Sequence, residues 1–428
     1  MKSLKNLIGI TLLLLSTNAF SAWIEDISGR NLSLVVYIGT FDPIHEGHQE
    51  IIDWLVRSGK YDGVVVIPND RPLHKPGATA YETRLNDLRL IYGQHQKVYV
   101  PKEYRESFPV PMSISQIRGI KKNCRNCSFV GAFGDDILSS TFKLTTTRFL
   151  LSDLKKWLVF TRNFRDQIPK YYLGRPIEPI EFSNPESSSH IKKQLLAISD
   201  RDSSQSAKLN IHQNVLDRIL FSNAYSNGGT YFKTGDIISF SLRRGMTPKI
   251  VQAISDSPFD HVGVLSWEQD LLFIYEFILG KGIVKSKLSD RWNYYRDSNG
   301  QVHFALAYGK KDLGEKDLER IKMFLANAAD FSNQSFKSCT DFVLKSLSEL
   351  GVTLKFDPSE RIKIQSRVKS IANMEKYKDI PIYETITPVE ILKKLNLVYS
   401  SEPSLHWTGS DLQTAWGHST PSCLGFYK

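Results

Sequence analysis

Through its first 200 residues the chain alternates short, wholly apolar runs with amphipathic stretches. Leu34, Val35, Val36, Tyr37 and Ile38 form one such run. It is followed by the ten-residue stretch Gly39-Thr40-Phe41-Asp42-Pro43-Ile44-His45-Glu46-Gly47-His48 and then by Ile51, Ile52 and Leu55 at helical spacing. That order predicts a buried strand, a tight turn and a helix, with Gly39 supplying the turn and Pro43 suited to the helix start. Further buried strands are predicted at residues 63–68, 128–133, 157–161 and 177–182, and helices at 81–92, 113–122 and 189–198. Strands alternating with helices imply a parallel, Rossmann-like α/β sheet with ligands at the C-terminal ends of its strands.

The pattern then breaks. Residues 200–206 are a polar run typical of a linker, and 207–222 read as a connecting helix. From Tyr231 a second region begins with a turn and a strand over 234–240. Strands follow at 261–265 and 273–277, and a helix starts near Cys339. His261, Glu276 and Cys339 each stand in a strand or at a helix start, where a reactive group is held rigidly.

The amino terminus changes the picture of where this happens. Lys2 and Lys5 precede an apolar run over 7–15, too short to span a bilayer, and then small residues at Ala19 and Ser21. This reads as a signal peptide, residues 1–21, with cleavage after Ser21 or Ala22, and it implies a periplasmic or secreted protein. No later run is apolar and long enough to cross a membrane. The roughly 400 residues that remain exceed one core, so two domains are expected, at 32–200 and 231–428, joined by 201–230.

The formal net charge of +10 comes from interspersed acidic and basic residues without an arginine-rich block, which argues against a nucleic-acid partner and for anion-binding pockets. Four cysteines, Cys124, Cys127, Cys339 and Cys423, are too few for a disulfide scaffold. In an exported protein Cys124 and Cys127 are placed for a local bridge, and a zinc site lacks its second pair.

The stretch 39–48 suits an anion on elementary grounds. A helix start offers unpaired backbone N–H groups and the positive end of the dipole, and His45 and His48, three apart, share one face beside Thr40. A metal needs further ligands that no nearby cysteine or acidic cluster supplies.

With these residues in view, the stretch resembles the signature of the nucleotidyltransferase superfamily, and within it the nicotinate/nicotinamide mononucleotide adenylyltransferases. Pro72-Leu73-His74-Lys75, Gly134-Asp135-Asp136-Ile137-Leu138 and Ser187-Ser188-Ser189-His190-Ile191-Lys192 resemble three later elements of that family in the same order. The resemblance implies that His45 and His48 are catalytic. It further implies nucleotide contacts from Gly39, Thr40, Phe41, Lys75, Gly134, Asp136, Ser188, Ser189 and Lys192, with ATP as substrate, Mg²⁺ as its companion, no protein-bound metal and a place in NAD biosynthesis. Such enzymes work by alignment and charge stabilisation rather than by a covalent nucleophile. Ile38 stands where the family often has a second glycine, and Lys192 where it has an arginine, so pantetheine-phosphate and cytidylyl variants stay open.

The order Gly235-Asp236-Ile237-Ile238, His261-Val262-Gly263-Val264, Glu276, Cys339 and then Ile386-Thr387-Pro388 resembles the circularly permuted papain-like amidases of the NlpC type, with an α+β fold. By that match Cys339 is the nucleophile, His261 its base and Glu276 the residue that orients the imidazole. A thiolate at a helix N-terminus is favoured by the dipole and by a paired histidine. The sequence leaves the acyl substrate unknown. The expectation is an exported bifunctional enzyme; the alternative is a first domain that senses nucleotide without catalysis beside a catalytic cysteine site.

Overall fold

Five consecutive apolar side chains leave a strand no face for water, so β1 (Ser33–Gly39) must lie inside a sheet covered on both sides. A computed structural model of the chain describes residues 30–69, 77–100, 120–122, 124–139, 154–161, 168–202, 209–241, 258–278, 281–330, 336, 338–356 and 388–401. The segments 1–21, 72–75 and 113–119, with Ile386, Thr387 and Cys423, lie outside the described residues. Two units emerge: residues 1–192 with 210–217, and residues 193–209 with 218–428.

In the first unit β1 pairs in parallel with β2 (Gly63–Pro68) on one side and with β4 (Ser128–Gly134) on the other. A two-residue β3 (Val98–Tyr99) extends the β2 edge. Beyond β4 come β5 (Leu154–Thr161), β7 (Arg175–Glu181) and the antiparallel β6 (Tyr171–Tyr172), giving the order β3-β2-β1-β4-β5-β7-β6. All but the edge pairing is parallel, the Rossmann-like arrangement expected, and the order reverses between β1 and β4. That reversal opens a crevice at the strand C-termini. Helices α1 (Glu46–Arg57), α2 (Tyr81–Tyr92), the short α3 (Asp136–Ser139) and α4 (Ser188–Ser199) connect or follow the strands. Trp157 fills the core where Gly131 on β4 has no side chain: a Cβ there would lie 2.1 Å from the indole.

Two expectations need correction. The connecting helix, α5, spans Gln213–Ser222 and starts later than 207, because Asn210 is engaged elsewhere. Its carbonyl accepts from the Glu46 N–H at 2.8 Å and its amide donates to Glu186 at 3.0 Å. The polar run at 200–206 is not wholly a solvated linker either. Arg201 is 2% exposed and its guanidinium forms an ion pair with buried Asp236.

The second unit is built on an antiparallel sheet of β8 (Ile237–Phe240), β9 (His261–Glu268), β10 (Leu271–Ile278), β11 (Gly282–Lys287), β12 (Phe304–Tyr308) and β13 (Asn396–Ser400), in the order β11-β10-β9-β8-β12-β13. The short α6 (Leu288–Tyr294) follows β11; α7 (Glu315–Asp330), α8 (Cys339–Glu349) and α9 (Pro388–Lys394) complete it. Phe342, Val343 and Leu347 of α8 pack with Val262, Val264 and Tyr275 in one core. That packing fixes the start of α8 against β9. Among the described residues no helix is long and apolar enough to cross a membrane.

Candidate functional site

At the C-terminal ends of β1 and β4 lies a cavity of about 240 Å³. Its wall is made by Gly39, Thr40, His45, Gly47 and His48 after β1, by Gly134, Asp135 and Asp136 after β4, by Phe160 and Phe182, and by Ser187, Ser188 and Ser189 at the start of α4. Three segments far apart in sequence thus converge where the strand order reverses.

His45 caps α1 and is 1% exposed, with its ring centroid 3.9 Å from that of His48. The His48 Nδ1 accepts from the His45 backbone N–H at 3.4 Å, which leaves the proton on Nε2, the form that donates to an anion. Gly47 permits this pairing: a Cβ there would stand 3.2 Å from the His45 Cε1. The first-turn amides contribute less than expected, since the Glu46 N–H is taken by the Asn210 carbonyl and the His48 N–H by that of His45. The burden of anion contact shifts to the imidazoles.

Phe41 is fully buried and edge-on to both Tyr37 and His48, behind the histidine and not among the residues of the cavity wall. Lys192 is also off the wall. Its ammonium pairs with Asp42, a carboxylate 1% exposed that also takes the Thr79 N–H and hydroxyl. Ser188 donates to the Pro43 carbonyl at 3.1 Å and ties α4 to the loop after β1. Lys75 lies outside the described residues.

The sequence reading passed over Arg84. Its guanidinium, 1% exposed, donates to the carbonyls of Thr40 at 2.8 Å, Asn69 at 2.7 Å and Thr79 at 2.9 Å, pinning the loop that carries Thr40 and Asp42. The signal was present: Arg84 falls in the apolar stripe Tyr81, Leu85, Leu88, Tyr92 of α2, where a charge has to find internal partners.

In the second unit Ser338 caps α8 by accepting the Asp341 N–H at 3.1 Å, which places Cys339 in the first helical turn. His261 at the start of β9 makes a side-chain hydrogen bond with Cys339, and its Nε2 lies 2.9 Å from the Glu276 Oε1. Burial alone would lower the imidazole, but Cys339 and Glu276 outweigh it and raise it from 6.5 to about 10. Burial would likewise raise Glu276, which is 0% exposed; His261 and Arg291 overcome that and bring the carboxyl down to about 2. The three residues picked from sequence therefore meet. Arg291 and Tyr295, which complete the surroundings of Glu276, were not foreseen.

Residues 36–194 match the model of the cytidylyltransferase-like family. A probable nicotinate-nucleotide adenylyltransferase of Fusobacterium nucleatum is 26% identical over 140 residues, covering 31% of this chain and 68% of the relative. Coverage of other similar relatives ranges from 23% to 95% of their lengths. Among solved structures, the Plasmodium falciparum nicotinic acid mononucleotide adenylyltransferase complexed with APC superposes with a TM-score of 0.34 at 19% identity, over 45% of this chain and 97% of that one. The metalloprotein yiiX of Escherichia coli O157:H7 gives 0.30 at 19%, over 40% and 98%. Residues 36–194 of this chain are thus cytidylyltransferase-like, and probable nicotinate-nucleotide adenylyltransferases are among the proteins this region is similar to.

Proposed function

We propose that the first unit transfers the adenylyl group of ATP to a pyridine mononucleotide, with nicotinate mononucleotide as the leading acceptor. A phosphate oxygen of the mononucleotide attacks the α-phosphorus, the bond to the bridging oxygen breaks, and pyrophosphate leaves. The observation that carries this reading is the convergence of His45 and His48, the 134–136 turn and the 187–189 serines on one cavity at the sheet reversal. His48 Nε2–H faces the developing charge, and the buried His45 fixes its orientation. Asp135 and Asp136 on the wall suit the outer coordination of a Mg²⁺ that enters with the ATP phosphates.

Purified chain incubated with ATP, Mg²⁺ and a panel of pyridine mononucleotides tests this. Dinucleotide formation, lost in the His45→Ala/His48→Ala double variant, is expected. Turnover unchanged in that variant defeats the assignment, and ATP binding without product in the wild type makes the unit a nucleotide sensor.

The second unit is proposed to be a permuted papain-like cysteine hydrolase acting on an amide or ester. The support is the meeting of Cys339, His261 and Glu276 from α8, β9 and β10. Sulfur attacks the acyl carbon, the acyl bond breaks as His261 delivers its proton to the leaving group, and water then cleaves the thioester. Export completes the reading, supported by the order of Lys2 and Lys5, the apolar run 7–15 and the small residues Ala19 and Ser21, and Cys124 and Cys127 lie close enough for a local bridge, with Cα atoms 5.3 Å apart. Sequencing the amino terminus of protein recovered outside the cytoplasm decides it: a retained Met1 refutes removal of residues 1–21.

A further inference from the structure

Glu276 is the most heavily engaged side chain of the cysteine site, and most of its partners come from an element that carries none of the three reacting or orienting residues. Its Oε2 accepts from the Arg291 Nε at 2.5 Å. Its Oε1 accepts from the Tyr295 hydroxyl at 2.8 Å and from the Arg291 Nη2 at 3.3 Å, and it also faces His261. Arg291 is itself held, donating to the Tyr295 oxygen at 3.0 Å with its guanidinium 4.6 Å from the Tyr294 ring centroid. Tyr295 in turn stacks on Phe240 of β8 at 4.1 Å, with planes 6° apart.

We propose that Arg291 and Tyr295 are positioning residues of the cysteine site, keeping Glu276 ionised and aimed at His261 throughout the reaction cycle. The proposal rests on the cysteine-hydrolase reading above. The physical need arises from the proton that His261 gives up. While His261 is an imidazolium, Glu276 has a counter-charge within 2.9 Å. Once that proton goes to the leaving group, a carboxylate that is 0% exposed would be left alone in the interior, a costly state that it relieves by taking up a proton. A protonated Glu276 has lost the charge that holds the imidazolium and is a weaker acceptor toward His261. Arg291 does not deprotonate in proteins, and its fork matches both carboxylate oxygens, so the negative charge survives the half of the cycle in which the imidazole is neutral.

The low position of the Glu276 carboxyl agrees with this. The charges acting on the pair come from every packed element: Cys339 from α8 and Glu276 from β10 act on His261, and His261 from β9 and Arg291 from α6 act on Glu276. Further charged groups on these elements are Asp290 on α6, Glu268, paired with Lys285, on β9, and Asp341, paired with Lys345, and Glu349 on α8.

The test uses the full chain and needs no substrate. Alkylation of Cys339 by iodoacetamide, in which a C–S bond forms and iodide leaves, is followed by mass spectrometry between about pH 4 and 9 in the wild type and in Arg291→Met, Arg291→Lys and Tyr295→Phe. Wild-type Cys339 is expected to label faster than a free thiol in the same solution. Arg291→Met is expected to move the acid limb upward by about one pH unit or more, Tyr295→Phe by less, and Arg291→Lys, which keeps the charge, to restore most of the wild-type profile. A folded Arg291→Met whose profile superimposes on wild type overturns the proposal. Should that variant fail to fold, an unmoved Tyr295→Phe profile does the same. A wild-type Cys339 that labels no faster than a free thiol defeats the hydrolase reading itself, and this inference with it.

Discussion

Replacing Gly47 by alanine should separate stability from chemistry in the first unit. Gly47 sits in the first turn of α1, where alanine gains up to about 1 kcal/mol of helix propensity. The same methyl would stand 3.2 Å from the His45 Cε1, 3.3 Å from its Nδ1 and 3.4 Å from the Asn184 Oδ1, so something must give by a few tenths of an ångström. His45 is the group that yields, yet it is 1% exposed with the tilted His48 ring centred 3.9 Å away, so its displacement passes to the imidazole that faces the cavity. A misaligned transition-state donor costs about 3 kcal/mol, roughly a hundredfold in rate. The expected outcome is an unchanged or raised melting temperature with dinucleotide formation from ATP and nicotinate mononucleotide reduced at least about tenfold. Chromatographic quantitation of product beside a thermal melt measures both. Turnover equal to wild type would refute the claim that Gly47 is needed for the placement of the two histidines.

Other outcomes follow from buried polar groups. Arg84→Leu leaves three loop carbonyls without their donor and should cost about 3 kcal/mol or more in denaturant unfolding, with weaker nucleotide binding. Gly131→Ala forces a methyl into the Trp157 indole and should leave little folded protein, read by circular dichroism. Glu276 has a folded-state pKa of about 2 against an ordinary 4.5, so its contribution to stability is present above about 4.5 and lost as pH falls toward 2. The stability gap between wild type and Glu276→Gln should therefore shrink across that window in urea titrations; a gap independent of pH would show that the carboxylate charge contributes nothing.

The parallel sheet and the place of 39–48 at the end of one of its strands were legible because they depend on local patterns, unbroken apolar runs, a glycine turn and helical spacing, whereas 134–136 and 187–189 were marked only by the family resemblance. The partners that lock those patterns were not. Asp42 takes Thr79 and Lys192 across 37 and 150 residues, and such pairings follow from topology rather than from any window of sequence. Phe41 stands within the stretch that carries the resemblance, but its positive φ of 50° and its edge contact with His48 follow from the turn rather than from any pattern of the sequence. Arg84 and Arg291 share a signature that was readable in hindsight, since each interrupts an apolar helical stripe. Arg291 falls between Leu288, Trp292 and Tyr295.

The burial of Arg201 bears on how such a two-part gene is cut and joined. A recombination cassette opening at residue 231, where the pattern of the second region begins, would carry Asp236 without the guanidinium that neutralises it. Burial has already pushed that carboxyl up to about 6, and loss of its cation would strand a buried charge at a cost of several kcal/mol. A transplantable second module therefore has to start before Arg201, and a breakpoint inside the polar run that looks like a natural seam would be selected against.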